Sequence, residues 1–328
     1  MPNQYCPRRR EFLATVGALP LFGADERRGD MIYRMLGRTG ERVSALGLGG
    51  AHIGRPREEQ VGIAIVRSAI DRGVTFMDNG WSYMGGKCEV WMGRALRDGY
   101  RKKVFLMTKF DGRTKVATAR QIDESLRRLD TDVIDLMQYH ENIRMDDPDR
   151  FFAPNGPLEA LLEARKAGKI RYIGFTGHKA PAMHLRMLEL AAKNKFHFDA
   201  AQMPLNILDA SFRSFAREAV PKMIEQGTAV LGMKPLASGA IPRSHIATAT
   251  ECLQYALSLP ASVVITGCDS PQRLDQALDA VRTFRPMTKE QQAALVARTR
   301  DAALDGTFEE FKTTTNFDGT VHHPEWME

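Results

Sequence analysis

A chain of 328 residues with 43% hydrophobic and 26% charged side chains is long enough for one large globular domain or two ordinary ones. Its formal charge of +6 is too small and too evenly spread for a nucleic-acid surface, and no short repeat points to a solenoid. Cys6, Cys88, Cys252 and Cys268 form neither a CxxC pair nor a metal-ligand spacing, which argues against a disulfide scaffold and a metal site.

The first segment, "RRREFLATVGALPLFGA", has a basic front, an apolar run from Phe12 to Phe22 and small residues before polar "DERRGD". The run is too short to span a bilayer. Its Arg9-Arg10-Glu11-Phe12-Leu13 resembles a twin-arginine export signal, so residues 1–24 are read as a signal peptide. A periplasmic protein is the expectation; a cytoplasmic one with a basic tail is the alternative.

Next, "IYRMLGRTGERVSAL" has two β-rich arms around Arg38-Thr39-Gly40, a predicted hairpin. From there strand and helix patterns alternate. "RVSALGLGG" reads as a strand, and "EEQVGIAIVRSAIDRG" as a helix with Val61, Ile65, Ala69 and Ile70 on one side. Strand Val74–Asp78 precedes helical "KCEVWMGRALRDG"; strand "KVFLMTK" precedes helical "TARQIDESLRRLDTD"; strand "VIDLMQYH" precedes helical "PLEALLEARKAGK". "IRYIGFTGH" leads to a helix over Pro181–Lys193, "FDAAQMP" to one over Phe212–Glu225, "AVLGMKP" to one over Thr248–Ser258, and "SVVITGC" to one over Pro271–Phe284. Eight strands each followed by a helix imply parallel pairing, because every crossover needs a helix to return the chain. The expected fold is α/β: a (β/α)8 TIM barrel over 31–300 with an N-terminal β-hairpin, and a C-terminal tail, 301–328, near its mouth. No GxGxxG follows the first strand, which weakens an open dinucleotide-binding sheet.

Barrel chemistry sits at the C-terminal strand ends. Asp78, Lys109 and His140 close the second, third and fourth strands, and Tyr83 lies just beyond Asp78. Singly, each has an ordinary structural reading; a turn explains Asp78-Asn79-Gly80 and a lone histidine is commonly structural. Their joint placement on one rim is what those readings leave unexplained.

On those strand ends the four residues resemble the catalytic tetrad of the aldo-keto reductase family. The likeness extends over "YRMLGRTGERVSALGLGG", "ESLRRLDTDVIDLMQYH" and "LEARKAGKIRYIGFTGH", and is nearest to bacterial, signal-bearing, uncharacterised branches. It implies NADPH-dependent reduction of an aldehyde or ketone, or the reverse alcohol oxidation. Tyr83 is then the general acid. An ammonium beside a phenol favours the phenolate and lowers its pKa, so Lys109 is expected to act on Tyr83, with Asp78 holding Lys109. A neutral His140 is expected to donate a hydrogen bond to the carbonyl oxygen.

The resemblance also implies a cofactor site of Gly50, Asp78, Thr176, Gln202, Met233, Lys234, Leu236, Ser270, Arg273 and Gln276, with NADP preferred and NAD possible. Thr176 and Gln202 match carboxamide contacts, Met233 stands where many members place an aromatic ring, and Arg273 matches an arginine of the adenosine-phosphate loop. The sequence departs from the family pattern at Gly177, where an asparagine is usual and His178 is a candidate substitute, and at Gly267 and Ala277. Asn79, Gly80 and Met84 depart from it as well.

His52, Trp81, Phe110 and the Phe151-Phe152 loop are candidate substrate contacts, and His322-His323 reads as a surface pair rather than a metal site. The partner is a small carbonyl or alcohol substrate. Two other functions fit parts of the pattern. One is an NADP-binding redox sensor with slow turnover. The other is a Schiff-base lyase using Lys109 or Lys234, which a carboxylate near Lys109 disfavours by holding its proton.

Overall fold

The structure, a computed structural model, describes residues 25–328, so the predicted signal at 1–24 lies outside the described residues. Strands β1 (Glu26–Arg28), β2 (Met31–Met35) and β3 (Arg42–Ser44) form an antiparallel sheet, with Met35 opposite Arg42 across the predicted hairpin. The barrel strands are β4 (Leu46–Gly49), β5 (Phe76–Asp78), β6 (Phe105–Phe110), β7 (Ile134–Tyr139), β8 (Ile170–Thr176), β9 (Ala200–Pro204), β10 (Ala229–Met233) and β11 (Val263–Gly267). They are parallel and closed, β11 pairing back onto β4.

Alternation along each strand divides the residues between two cores. Phe76, Phe105, Met107, Leu136, Leu231 and Val263 fill the barrel interior, and Leu36 and Val43 of the hairpin close that core from below. Met77, Leu106, Met137, Ile173 and Val230 face outward and pack under the helices. The crossover helices begin at side-chain caps where the sequence provides them. Thr114 accepts from the Ala117 N–H, and Thr248 and Thr288 form reciprocal capping boxes with Glu251 and Gln291.

Three expectations are corrected. "RVSALGLGG" is two strands, because the chain passes at Ala45 from the hairpin sheet into the barrel; the Ser44 hydroxyl bridges the step to the Leu46 carbonyl at 2.6 Å. The helix expected over Phe212–Glu225 is broken into Phe215–Glu218 and Val220–Gln226. Its start is set by Ser214, whose hydroxyl takes the Arg217 N–H, and Pro221 has no N–H to continue the ladder. A helix not anticipated, Lys289–Ala303, runs through the expected boundary at residue 300.

The last residues bind the barrel rim through buried ion pairs. Lys312 Nζ lies 2.8 Å from Asp209 and 3.0 Å from Glu309. Asp318 sits between His178 at 2.9 Å and Lys179 at 2.8 Å. Glu141 accepts the Gly319 and Thr320 backbone N–H groups, each at 2.7 Å. Among the described residues no helix is long and apolar enough to cross a membrane, and no cluster of three potential ligands could hold a metal ion.

Candidate active site

The interior face of the barrel changes character at its top. Below, Phe76, Met107 and Leu136 are apolar; one pleat higher on the same strands stand Asp78, Lys109 and Gln138. A period of two places each polar residue on the face of the apolar one beneath it. Gln138 faces β8 at Gly174, and Thr176 of β8 pairs with Gln202 of β9, so the polar layer continues round the ring. Gln138 donates its side-chain amide to Gln202 Oε1 at 3.1 Å.

The same alternation moves Phe110 out of the site. It follows Lys109 and therefore faces the helices, fully buried against Tyr139 at 5.7 Å between ring centroids. Phe151 and Phe152 join it in that outer core with Phe196 and Phe198. The expectation that these phenylalanines line a substrate pocket is corrected on this ground.

Lys109 Nζ donates to Asp78 Oδ1 and, at 2.5 Å, to the Asn79 carbonyl. Burial pushes the Lys109 ammonium below its usual pKa, with the Asp78 carboxylate opposing. The Tyr83 ring stands 4.8 Å from Lys109 Nζ and lies edge-on to His140 at 5.7 Å. Gly80 makes room for that ring: a Cβ there would fall 2.9 Å from Tyr83 Cζ. The turn beyond is left-handed at Met84, Gly85 and Gly86. The departures at Gly80 and Met84 thus shape one tight loop beneath and beyond the tyrosine.

The expected lowering of the Tyr83 pKa is not found. Burial, then the carboxylates of Asp78, Asp111 and Glu141, push the phenol well above its ordinary value. Lys109 is engaged by Asp78, so its charge does not dominate at the phenol.

Asp111, which sequence reasoning missed, is the fifth ionisable group. Its Oδ1 lies 2.8 Å from His140 Nδ1. Burial raises its pKa, but His140, the Ser82 hydroxyl and Arg113 together hold the carboxyl below its usual range. Arg113 braces the pair by donating to the carbonyls of Asp111 and His140 at 2.9 and 2.8 Å. An ionised Asp111 keeps a proton on Nδ1, which leaves Nε2 of a neutral ring an acceptor. The expected hydrogen bond from a neutral His140 to the carbonyl oxygen needs the other tautomer, with the proton on Nε2 and not towards Asp111. The available signal was "KFDGR", a carboxylate two residues after Lys109 and so on the same face.

A cavity of about 450 Å³ opens over this layer. Asp78, Tyr83, Gln202, Met233 and Lys234 line its inner end; His52, Arg55, Leu236, Arg243 and Arg273 line the rest, with Asp269 beside Arg273. Arg273 donates to Gln276 Oε1 at 3.2 Å, and Ser270 caps the helix Pro271–Arg282 that carries both. Neither Ser270 nor Gln276 reaches the cavity wall. Gly50 is also set back from it; a Cβ there would meet the Asp78 carbonyl at 2.3 Å, so its role is close strand packing. Thr176 is buried, its carbonyl taken by the Asn142 N–H at 2.8 Å.

The other departures have local causes. A Cβ on Gly177 would fall 2.3 Å from the Asn142 carbonyl, which excludes the asparagine usual there. His178 does not substitute for it, because its Nε2 is held by Asp318. A Cβ on Gly267 would fall 2.0 Å from His52 Nδ1, so the imidazole occupies the space of a side chain at 267. Burial, then the charge of Arg55, lowers the His52 pKa to about 4. Trp81 is committed elsewhere: its Nε1 donates to Glu124 at 2.7 Å and its ring meets Trp326 of the tail edge-on at 5.8 Å. It sits at the seam between rim and tail, not on the cavity wall. His323 stacks on Trp326 at 4.2 Å, and His322 bonds the Thr315 carbonyl at 2.9 Å.

Residues 45–251 match the model of the aldo/keto reductase family. The chain is 30% identical over 252 residues to the aldo-keto reductase AMT2 of Alternaria alternata, covering 64% of this chain and 66% of that one. It is 29% identical over 231 residues to the uncharacterized oxidoreductase YrpG of Bacillus subtilis, covering 64% and 68%. Among solved structures, the aldo-keto reductase AKR11C1 of Bacillus halodurans in its holo form superposes with a TM-score of 0.70 at 24% identity, over 85% of this chain and all of that one. An aldo/keto reductase of Klebsiella pneumoniae in complex with NADP and acetate gives 0.66 at 23% identity, over 80% and 94%. At these identities the structural likeness is one of fold.

Proposed function

Because the chain belongs to the aldo/keto reductase family, we propose that it is a nicotinamide-dependent oxidoreductase that reduces an aldehyde or ketone, or oxidises the corresponding alcohol. The observation that carries this reading is the cluster at one rim: Asp78 and Tyr83 line the cavity, and Lys109 and the Asp111-backed His140 stand directly against the Tyr83 ring. The cavity suits a dinucleotide phosphate: Arg55, Arg243 and Arg273 supply cations, and Met233 supplies a polarizable flat contact. When bound, the cofactor supplies a hydride. Gln202 and Met233 are proposed to hold its nicotinamide end and Arg273 its adenosine end, with NADP preferred.

The residues manage the oxygen. A carbonyl oxygen gaining negative charge needs a hydrogen-bond donor and then a proton. Tyr83 enters as a neutral phenol. An alkoxide is a far stronger base than a phenolate, so the phenol proton moves to it even from a raised pKa. His140, held at Nδ1 by Asp111 and edge-on to Tyr83, helps to orient the oxygen. Lys109, locked on Asp78, keeps a positive charge beside the ring when phenolate forms. That same lock speaks against Lys109 as a Schiff-base nucleophile.

Incubation of the purified chain with NADPH and a panel of aldehydes and ketones tests the reading. Oxidation of NADPH should fall by a factor of roughly 10² or more in Tyr83→Phe while nucleotide affinity is retained. No turnover with any carbonyl, together with tightly retained nucleotide, would favour the sensor instead. The twin-arginine motif supports a proposal of periplasmic export; a fusion of residues 1–24 to a reporter that works only outside the cytoplasm tests it, and a silent reporter favours the cytoplasm.

A further inference from the structure

We infer that Lys234 is the receptor for a carboxylate on the substrate, so that the carbonyl compounds this chain prefers are keto acids or aldehyde acids. This rests on the reductase reading and names its substrate class.

Each carboxylate around the inner cavity already has a partner other than Lys234. Asp78 has Lys109, Asp111 has His140, Asp318 has His178 and Lys179, and Glu141 holds two backbone N–H groups and the Thr320 hydroxyl. Among the described residues the Lys234 side chain has no hydrogen bond and no ion pair; only its backbone carbonyl is taken, by the Ala237 N–H at 2.9 Å. Its ammonium stands 5.2 Å from the Phe311 ring centroid and 4.9 Å from that of Phe317, both on the tail. Aromatic faces attract a cation but do not neutralise it. Lys234 is half-buried, so its ammonium is only partly solvated and has no counter-ion, and a carboxylate arriving beside it gains a charge-assisted contact.

The family resemblance counts Lys234 among the cofactor contacts; its ammonium stands instead against Phe311 and Phe317 of the tail, which separates this charge from the cofactor's. Lys234 lines the same cavity as Asp78 and Tyr83, and the charges acting on it are Lys109, Glu141, Asp78 and Asp318. The outer part carries Arg55, Arg243 and Arg273, which are sufficient cations for phosphates. A carboxylate at Lys234 therefore sits at the proton-donor end, where a substrate carbonyl must come. Burial, then the charge of Lys109, lowers the Lys234 pKa to about 8, so the group is still mainly an ammonium at neutral pH.

The test compares 4-carboxybenzaldehyde with its methyl ester, using the full chain and NADPH. The acid should be preferred in kcat/KM by about tenfold or more at neutral pH, the scale of one charge-assisted contact. Preference should decline as pH rises through about 8, where Lys234 loses its proton. In Lys234→Met the acid-to-ester ratio should collapse towards one; in Lys234→Arg it should persist. A wild-type ratio near one, a ratio unchanged in Lys234→Met, or borohydride trapping of the aldehyde on Lys234 overturns the inference. If neither aldehyde is reduced, the carbonyl panel judges the reductase reading separately, and benzoate binding by calorimetry decides the receptor. Affinity weakened about tenfold in Lys234→Met upholds it, and equal affinity overturns it.

Discussion

Asp111 and His140 meet at 2.8 Å across the ends of two neighbouring strands, and the contact engages Nδ1 of the histidine. Asp111→Asn keeps the shape and removes the carboxylate that holds His140 at Nδ1. Turnover should fall roughly tenfold to hundredfold. Unchanged turnover would leave Asp111 a purely structural residue.

The direction of the Tyr83 shift predicts an asymmetry between the two reactions. Reduction uses the neutral phenol and should be insensitive to phenol ionisation through neutral pH. Alcohol oxidation needs phenolate as base, so its rate should still be climbing as pH approaches the ordinary phenol pKa of about 10. The measurement is kcat/KM for an alcohol against pH with excess NADP. A plateau already reached near neutrality would show that the phenol is acidified after all.

Gly80→Ala tests the fit beneath the tyrosine. The new Cβ would lie 2.9 Å from Tyr83 Cζ, so the ring must move by a few tenths of an ångström or more. Turnover should drop by roughly tenfold to hundredfold with little change in Tm, because misplacement of a reacting group affects rate far more than stability.

Arg273→Ala should weaken NADPH binding about tenfold or more while NADH binding changes less, since the lost contact is a charge-assisted one to a phosphate. Asp269 shares that part of the cavity, so Asp269→Asn should shift selectivity the other way, towards NADPH. Fluorescence titration of both nucleotides reads each change. Equal weakening of the two by Arg273→Ala would place that arginine on a part common to both.

Lys312 joins the tail to the rim with its ammonium fully buried between Asp209 and Glu309. Lys312→Met leaves two uncompensated buried carboxylates and should cost about 3–5 kcal/mol in urea unfolding. A loss below about 1 kcal/mol would show that the tail is held by its apolar contacts alone.

Much of the fold was legible before any coordinates. Alternating patterns with glycine stops marked eight strand–helix units, and the period of a strand placed Asp78, Lys109 and His140 at one rim with Tyr83 just beyond. Those features are local: a side chain's face and its distance from a strand end follow from backbone geometry over a few residues. Phe110 obeys the same period: following Lys109, it takes the opposite face and packs against Tyr139 outside the site. Asp111 carried the correct spacing, but only strand closure brings it against His140.

The chain by itself therefore determined the barrel, the rim and the four residues that stand there. Only the tertiary structure decided what their charges do. Closure gives Lys109 to Asp78, surrounds Tyr83 with carboxylates and low-dielectric packing, and leaves Lys234 without a counter-ion under the tail's phenylalanines. Electrostatic energies depend on distance, burial and every neighbouring charge, and the residues that meet here come from segments as far apart as Asp78 and Phe317.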